Sequence, residues 1–524
     1  MSAPWFDNYI ASFDIGSSAV KAVLVTPDAR MHLAHTVSYR SLPADSEQDA
    51  EDWWLAFCEV LQNWWAQGVL PSSVAAITFS GQMQCLLPLD GQGSALRQAV
   101  LHTDARAGEQ ALRITQELGA DEIHRVTRNP FSATSVLPKL LHLREHEPEV
   151  WARTARVLVG AKDFIALRLT GRAVTDPTTA ATTGMFDIER ETWSHDWLIA
   201  LGLKPVLPEL LTAHARVGAV SPQAAALTGL HAGCPVLCGF GDAAATTLGA
   251  GVTDASQCYA YLGTSGWVAR LVTRPFDTLS DRFNSPGAPL FVLPYLPTLG
   301  GAARRRILIG PISNAGAVHR WALDWLNDAD HLSQAQRYAE FEQAVASAPF
   351  DANLLFLPYL NGERLPVNSA AGQGALVGLA MHTSRPQMMR AALEGVSLSL
   401  RWAFDLLQAD AVCGPGPGRE LVVVGGATRS AAWMQILANT FDAPLRIAAD
   451  ADLLPCLGAA ATAAAALGWS ASPEDFVRQR QQDKAHSAEH SVLPNAQAAL
   501  NMQAKSVRWR ALQAAVSTVM SGPA

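Results

Sequence analysis

The chain carries two short phrases built from residue types that hold phosphate. The first is Phe13-Asp14-Ile15-Gly16-Ser17-Ser18-Ala19-Val20-Lys21. The second, roughly half the chain later, is Tyr261-Leu262-Gly263-Thr264-Ser265-Gly266-Trp267-Val268. Each reads as strand, Gly-Ser/Thr-Ser turn, strand. A phosphate loop needs backbone N–H groups converging on oxygen with no side chain in the way. Glycine opens that approach, and Ser or Thr hydroxyls add donors. Gly16, Ser17 and Ser18, with Lys21 beyond them, and Gly263, Thr264 and Ser265 meet the description. Neither is a GxxxxGK[ST] loop, and no GxGxxG stands between strand and helix, which disfavours a nicotinamide enzyme. One such hairpin is more often structural than functional; its recurrence directs both copies toward a shared ligand.

Two carboxylates complete the candidate chemistry. Asp14 precedes the first turn, where it either bonds its own backbone as a turn residue or holds Mg²⁺, through water as that ion prefers. Asp242 closes the run Gly239-Phe240-Gly241-Asp242 and opens a helical pattern. It is either an N-cap or a base that takes a proton from a substrate hydroxyl. The flanking glycines clear space around it, and strand ends are where α/β sites gather.

Strand-like runs alternating with helical patterns must position these groups, so the fold class is α/β. Ala50–Trp65 reads as a helix with Trp54, Phe57, Leu61 and Trp65 on one face. Ala75–Ser80 reads as a strand running into Gly81-Gln82-Met83, and Pro235–Phe240 as a buried strand continuing to Asp242. Helices are expected over Arg106–Glu117, Val136–Arg144, Gln387–Leu407, Ser430–Thr440 and Leu457–Leu467. Strands are expected over Leu354–Tyr359 and Leu421–Val424. Cys413–Gly418, with three glycines and two prolines, is expected to be a loop. The repeated hairpin at half-chain spacing points to a duplicated domain, 1–252 and 253–524, with a more variable tail after about 470 that packs on the second half. Two such domains facing each other would bring their hairpins to one cleft.

Bulk properties narrow the function. At 524 residues, 49% hydrophobic and 16% charged, the chain is globular and multi-domain. A net charge of −8 argues against nucleic acid as a partner. The one dense basic run, Arg304-Arg305-Arg306, reads as a solvated edge. Seven scattered cysteines read as buried, reduced thiols. The opening MSAPWFDNYIASF lacks the charged start and apolar core of a secretory leader, and Leu457–Trp469 is too short to span a bilayer. A cytoplasmic protein without membrane partners is expected, and a homodimer is compatible with it.

The motifs together resemble the FGGY family of carbohydrate kinases, within the actin–hexokinase superfamily. The stretch GALVGLAMHTSRPQMMRAALE, Gly374 to Glu394, is similar to the family's C-terminal signature, and Phe356–Leu360 with Gly362-Glu363-Arg364 are also family phrases. The resemblance implies two duplicated actin/hexokinase-like (ribonuclease H-like) domains with an active-site cleft between them. It implies transfer of the ATP γ-phosphate to a sugar hydroxyl with Mg²⁺. Asp242 would be the base, and Asp14 would help hold the metal. Gly425, Gly426 and Ala427, with Ser430 following, resemble the adenosine motif, and Gly316 would let the nucleoside lie close. Ser80-Gly81-Gln82-Met83 is similar to the phrase of the family's xylulokinase branch, so Gln82, Met83 and Gln84 would face the sugar, joined by Asp104 and Arg106 in an Asp-x-Arg motif.

Departures cluster on the sugar side. Gln84 stands where histidine is usual, His102-Thr103 where Trp-Asn is usual, Ala243 where asparagine follows the catalytic aspartate, Leu365 where threonine is common and Gln373 where arginine is expected. Gly310–Gly316 with Trp321 looks more like the gluconokinase branch. The expected acceptor is a ketose, D-xylulose first, with gluconate, ribulose or another polyol as alternatives. A nucleotide-driven switch or a silent sugar sensor on the same fold is the remoter alternative.

Overall fold

The computed structural model describes residues 8–40, 46–204, 206–273, 290–296, 305–326, 332–360, 362–365, 372, 374–408, 419–447, 450–482 and 490–520. Cys413–Gly418, Arg304 and Gln373 lie outside the described residues. By its contacts the chain divides into two compact units. One comprises Met1–Thr253, Val272–Ile307 and Leu453–Ser487; the other comprises Asp254–Leu271, Leu308–Asp452 and Ala488–Ala524.

The first unit is built on a mixed sheet. Its strands are β1 (Tyr9–Ile15), β2 (Ala19–Val25), β3 (Met31–Ser38), β4 (Val74–Gly81), β5 (Arg216–Ala219), β6 (Pro235–Leu237) and β7 (Phe240–Gly241). The order is β5-β6-β4-β1-β2-β3, with β7 also on β4. Strand β1 is antiparallel to β2 and parallel to β4. Every residue of β1 is buried, as expected for a central strand covered on both faces. Helix α1 (Ala50–Ala66) starts where the Asp49 carboxylate accepts from Glu51 N, and packs its aromatic face on the sheet. The Phe57 ring lies 4.6 Å from that of Phe13. Trp53 and Trp64 are fully buried alongside Trp54, whereas Trp65, expected in the core, is only half-buried.

Three more helices flank the site: α2 (Val136–His146), α3 (Ala161–Thr170) and α4 (Pro177–Ala181). Helix α5 (Asp242–Gly249) follows β7 directly. The strand expected over Pro235–Phe240 is interrupted. Gly239 takes φ +64°, and a Cβ there would sit 1.9 Å from the Phe79 carbonyl oxygen. The chain bends at the one residue type that fits, and the bend sets the direction in which Asp242 leaves the sheet.

Helix α10 (Leu454–Ala466) belongs to this first unit although it lies late in the sequence. It packs on α5 and β1. Added Cβ atoms on Gly249 and Gly458 would each fall 2.0 Å from a carbonyl oxygen of the facing helix, so both glycines are needed for the close approach. The expectation that the whole tail packs with the second half is therefore corrected: Pro473–Gln482 joins the first unit, Ala496–Met520 the second. The basic run is corrected too. Arg306 is buried and donates to the Ile188 carbonyl, and Arg305 pairs with Glu474.

The second unit repeats the scheme. Strands β8 (Cys258–Leu262), β9 (Gly266–Val272), β10 (Arg306–Ile312), β11 (Leu421–Val424), β12 (Leu445–Ile447) and β13 (His490–Val492) run in the order β10-β9-β8-β11-β12-β13. As in the first unit, the hairpin strands are antiparallel, the next neighbour is parallel, and the outermost pair is antiparallel. Helices α6 (Gly316–Leu326), α7 (Gln334–Ser347), α8 (Arg385–Leu407) and α9 (Ala431–Phe441) pack around it. The six described cysteines are free, and among the described residues no helix is long and apolar enough to cross a membrane.

Candidate active site

In the first unit the C-terminal ends of three parallel strands meet. Asp14 on β1 lies opposite Ser80 on β4, while Phe240 and Gly241 on β7 lie opposite Ser80 and Gly81. This register brings Asp14, Gly81-Gln82-Met83 and Gly241-Asp242 to one edge. A Cβ on Gly241 would meet the Met83 sulfur at 2.2 Å, so Met83 lies against the backbone that carries Asp242.

The two carboxylates differ in their surroundings. Burial raises the pKa of Asp14, and Lys21, its cross-strand partner, and Ser80 pull against that shift. Asp14 Oδ1 is buried with no hydrogen-bond partner among the described residues. Asp242 Oδ1 accepts from Ala243 N at 2.7 Å. Burial, then the charge of Asp14, raises it to about 7, with Ala243 N opposing and Asp176 adding a little. The Asp242 side chain keeps part of its surface open to solvent, which tempers the desolvation. A carboxylate poised near neutrality is suited to accept a proton from an alcohol.

The first hairpin is tied from behind. The Gly16 carbonyl accepts from Tyr39 Oη at 2.8 Å and Gln82 Nε2 at 3.3 Å, the Ser18 carbonyl from Tyr39 N, and the Ser17 carbonyl from Gln48 Nε2. In a planar trans peptide the N–H points opposite to the carbonyl. With their preceding carbonyls bound, the N–H groups of Ser17 and Ser18 turn to the other side, where both residues are exposed. Gln82, expected at the sugar, commits its amide nitrogen to Gly16 and Gln48 and so supports this loop, while its Oε1 is buried with no hydrogen-bond partner among the described residues.

Among the residues expected to face the sugar, Gln84 adopts φ +63°, a left-handed backbone. Asp104 and Arg106 form a bidentate pair, Nε–Oδ1 3.0 Å and Nη2–Oδ2 2.7 Å, and Arg106 Nη2 also reaches Glu47 at 2.6 Å. Burial pushes Asp104 up, but Arg106 and Lys139 outweigh it and hold the carboxyl below its ordinary value. Arg106 was expected inside a helix, which begins only at Gly108, so Asp104 and Arg106 stand in the turn before it. Lys139 on α2 escaped the sequence reading. Its Nζ donates to the Leu101 carbonyl at 2.7 Å, the same oxygen that accepts from Asp104 N. Burial lowers its pKa to about 8. The only sequence signal was a lysine on an apolar helical face, VLPKLLHL.

The second unit presents its own hairpin by the same device with different ties. The Gly263 carbonyl accepts from Gly316 N at 2.8 Å, and the Thr264 carbonyl from Ala315 N and Ala317 N. The start of α6 thus fastens the loop and leaves the N–H groups of Thr264 and Ser265 facing away. Arg320 Nη2 lies 3.3 Å from Thr264 Oγ1. A Cβ on Gly316 would fall 2.5 Å from the Gly263 oxygen. Glu363, quoted above only as part of a family phrase, accepts from Ser313 N, just ahead of α6, and from Arg364 N. Burial raises Glu363 to about 7. Gly425, at φ +101°, passes 2.5 Å under the Leu262 carbonyl measured from a built Cβ, and Gly426 opens to free space. Ala427 follows in the same 3-10 turn. Ser430 caps α9, accepting from Trp433 N and donating to Glu342 on α7, so its hydroxyl is committed to structure.

Two units, each with one strand order around a Gly-Ser/Thr hairpin, define an actin/hexokinase-like phosphotransferase fold. Residues 9–249 match the N-terminal domain and residues 258–467 the C-terminal domain of the FGGY family of carbohydrate kinases, and the chain belongs to that family. It is a phosphotransferase acting on a sugar hydroxyl, and sugar kinases of this family use ATP as donor. The chain is 32% identical to the xylulose kinase of Escherichia coli (strain K12) over 92% of its length and 94% of that protein. Among solved structures, the ligand-bound xylulose kinase from Lactobacillus acidophilus superposes with a TM-score of 0.83 at 26% identity, covering 97% of this chain and 98% of that one. The gluconate kinase from the same organism gives the same TM-score, identity and coverage.

Proposed function

We propose that this protein phosphorylates a terminal hydroxyl of a neutral ketose, D-xylulose to D-xylulose 5-phosphate. The observation that carries the choice of a neutral acceptor is the state of Arg106. Its guanidinium is engaged by Asp104 and Glu47. An aldonate such as gluconate would need a free cationic fork for its carboxylate. A polyol needs acceptors for its hydroxyl protons, which the charged Asp104 supplies. The xylulose kinase relatives support the same acceptor.

In this reading the sugar oxygen attacks the γ-phosphorus as the bond to the β,γ-bridging oxygen breaks, and ADP leaves. The hydroxyl proton passes to the Asp242 carboxylate. Because the transition state is loose, positioning and charge stabilisation dominate. The N–H groups of Ser17 and Ser18, and those of Thr264 and Ser265, donate to phosphate oxygens. Met83 and Gln84 contact the sugar with Asp104. The backbone at Gly316, Gly425, Gly426 and Ala427 accommodates the nucleoside.

Asp14 suits a water-mediated hold on Mg²⁺, because its Oδ1 is buried without a partner. Among the described residues no group of three or more His, Cys, Asp or Glu is placed to hold a metal ion. Held through Asp14, the ion would supply positive charge against the negative charge that develops on the phosphate during transfer.

The test is ADP release from ATP-Mg²⁺ with xylulose, ribulose, gluconate and glycerol. Xylulose is expected to give the highest kcat/KM. Gluconate as the best acceptor would overturn the choice of sugar. No acceptor exceeding the sugar-free blank would overturn the kinase reading in favour of a nucleotide switch or a sensor.

A further inference from the structure

Behind the candidate base lies a fully buried charge cluster that the reaction outlined above does not use. Lys162 on α3 reaches Asp163 Oδ1 at 2.8 Å and Asp176 Oδ1 at 3.0 Å, and all three residues are at most 1% exposed. Burying three charges is costly, and well-packed apolar residues of similar volume are often at least as stabilising. What apolar residues lack is direction. Every oxygen of Asp176 is directed: Oδ1 also accepts from Thr179 Oγ1 at 2.6 Å, and Oδ2 accepts from Thr178 N and Thr179 N. The cluster therefore locks the short helix α4 onto α3 and fixes the rotamer of Thr179.

The fixed parts press on the strand ends that carry the site. A Cβ built on Gly241 would meet Thr179 Oγ1 at 3.3 Å, and one built on Gly81 would meet Lys162 Cβ at 3.3 Å. Gly81 and Gly241 are paired neighbours, one residue before Gln82 and Asp242 respectively. Ala161 N donates to the Gln82 carbonyl at 3.2 Å. Lys162 thus backs β4 and Thr179 backs β7 at the residue that delivers the carboxylate.

We infer that Lys162, Asp163 and Asp176 act as positioning residues for Asp242, the rigid seat that holds its carboxylate in line with the acceptor hydroxyl through Thr179 and Gly241. The inference rests on Asp242 being the base. Displacement of a reacting group by about 1 Å can cost roughly 10²-fold in rate, so loosening the seat acts on turnover more than on binding.

Two variants test it, with Asp242→Asn measured beside them. Asp176→Asn keeps the shape but weakens the hold on Lys162 and Thr179. Thr179→Val removes the hydroxyl at nearly constant volume and stands if the first variant fails to fold. The expected result is a fall in kcat of about 10- to 100-fold for Asp176→Asn and about 5-fold for Thr179→Val, with KM for ATP and for sugar within about twofold. Wild-type kcat per folded molecule in both, alongside a large loss in Asp242→Asn, would overturn the seat and leave the base. A raised sugar KM at unchanged kcat would also overturn it, since the cluster would then shape binding. Undiminished kcat in Asp242→Asn would instead remove the base reading itself.

Discussion

Asp242→Asn separates chemistry from architecture because the two effects have opposite signs. The substitution keeps the shape, and Asn Oδ1 can still accept from Ala243 N, as Asp242 does at 2.7 Å. It removes only the ability to take a proton. A positioned base is worth about 10²–10⁴ in rate, or about 3–5 kcal/mol, and kcat should fall by that factor. ATP affinity, read by nucleotide titration, should barely change. Stability should move the other way. The folded state raises the carboxyl from 3.8 to about 7. Between about pH 4 and 7 the folded chain keeps a proton that the unfolded chain has released, so stability falls as pH climbs through this window. Above it the full deficit persists, about 4 kcal/mol as a ceiling for a group that keeps some solvent contact. Asn has no such deficit. The melting temperature of the variant relative to the parent should therefore rise from pH 4 to pH 8. Two compact units make a single unfolding free energy ill-defined, so the comparison is of melting temperatures. Near-normal kcat would remove Asp242 from the chemistry, and a pH-independent difference in melting temperature would refute its perturbed environment.

Thr264→Val takes a hydroxyl from the second hairpin and should raise KM for ATP and lower kcat together; an unchanged nucleotide titration would make that hairpin structural only. Gly316→Ala places a Cβ 2.5 Å from the Gly263 oxygen. It should distort the same loop and raise KM for ATP several-fold while the sugar KM stays put. Gln84→His puts a residue more tolerant of left-handed backbone at φ +63° and should redistribute kcat/KM across the sugar panel. An unaltered preference would show that this position does not set specificity.

The parts of the molecule legible in sequence are those governed by local pattern. Gly16-Ser17-Ser18 and Gly263-Thr264-Ser265 announced their hairpins because turn chemistry is local, and the repeat announced the duplicated sheet. The helices expected over Ala50–Trp65 and Gln387–Leu407 followed from helical periodicity and are found as Ala50–Ala66 and Arg385–Leu407. What escaped depends on contacts distant in sequence. Helix α10 carries no mark that it packs beneath α5 about two hundred residues earlier, although its Gly-Ala composition fits that packing once seen. Arg306 looked solvated until Ile188 and Glu191 supplied its partners. Lys139 and Glu363 are single charged residues in apolar or loop segments, and their significance lies in the carbonyl and amide groups folded around them. Gln82 sits in a sugar-contacting motif by resemblance, and its tie to Gly16 through the amide nitrogen became visible only once β4 was seen to deliver it beside the hairpin.

The duplication repeats the scaffold but divides the chemistry. Two residues before the hairpin glycine, the first unit has Asp14 and the second has Tyr261. Their cross-strand partners match the difference: Asp14 faces Lys21, whereas Tyr261 faces Trp267 and stacks on it at 3.8 Å. Tyr261 and Trp267 are uncharged at neutral pH, so the second hairpin has no carboxylate at the position Asp14 holds in the first and offers backbone and hydroxyl donors. The ties behind the loops divide in the same way. Side chains of Tyr39, Gln48 and Gln82 hold the first, and the start of a helix holds the second. Backbone ties are indifferent to side-chain identity except where glycine is needed for the approach, as at Gly316. Of the side-chain ties, that of Gln82 links the first loop to the end of β4, the strand that also leads into Met83 and pairs with β7 ahead of Asp242. Substitution of Gln82 should consequently change the KM for sugar and for ATP together, while Ala315 and Ala317, which tie the second loop through backbone N–H groups, should accept substitution with little change in either.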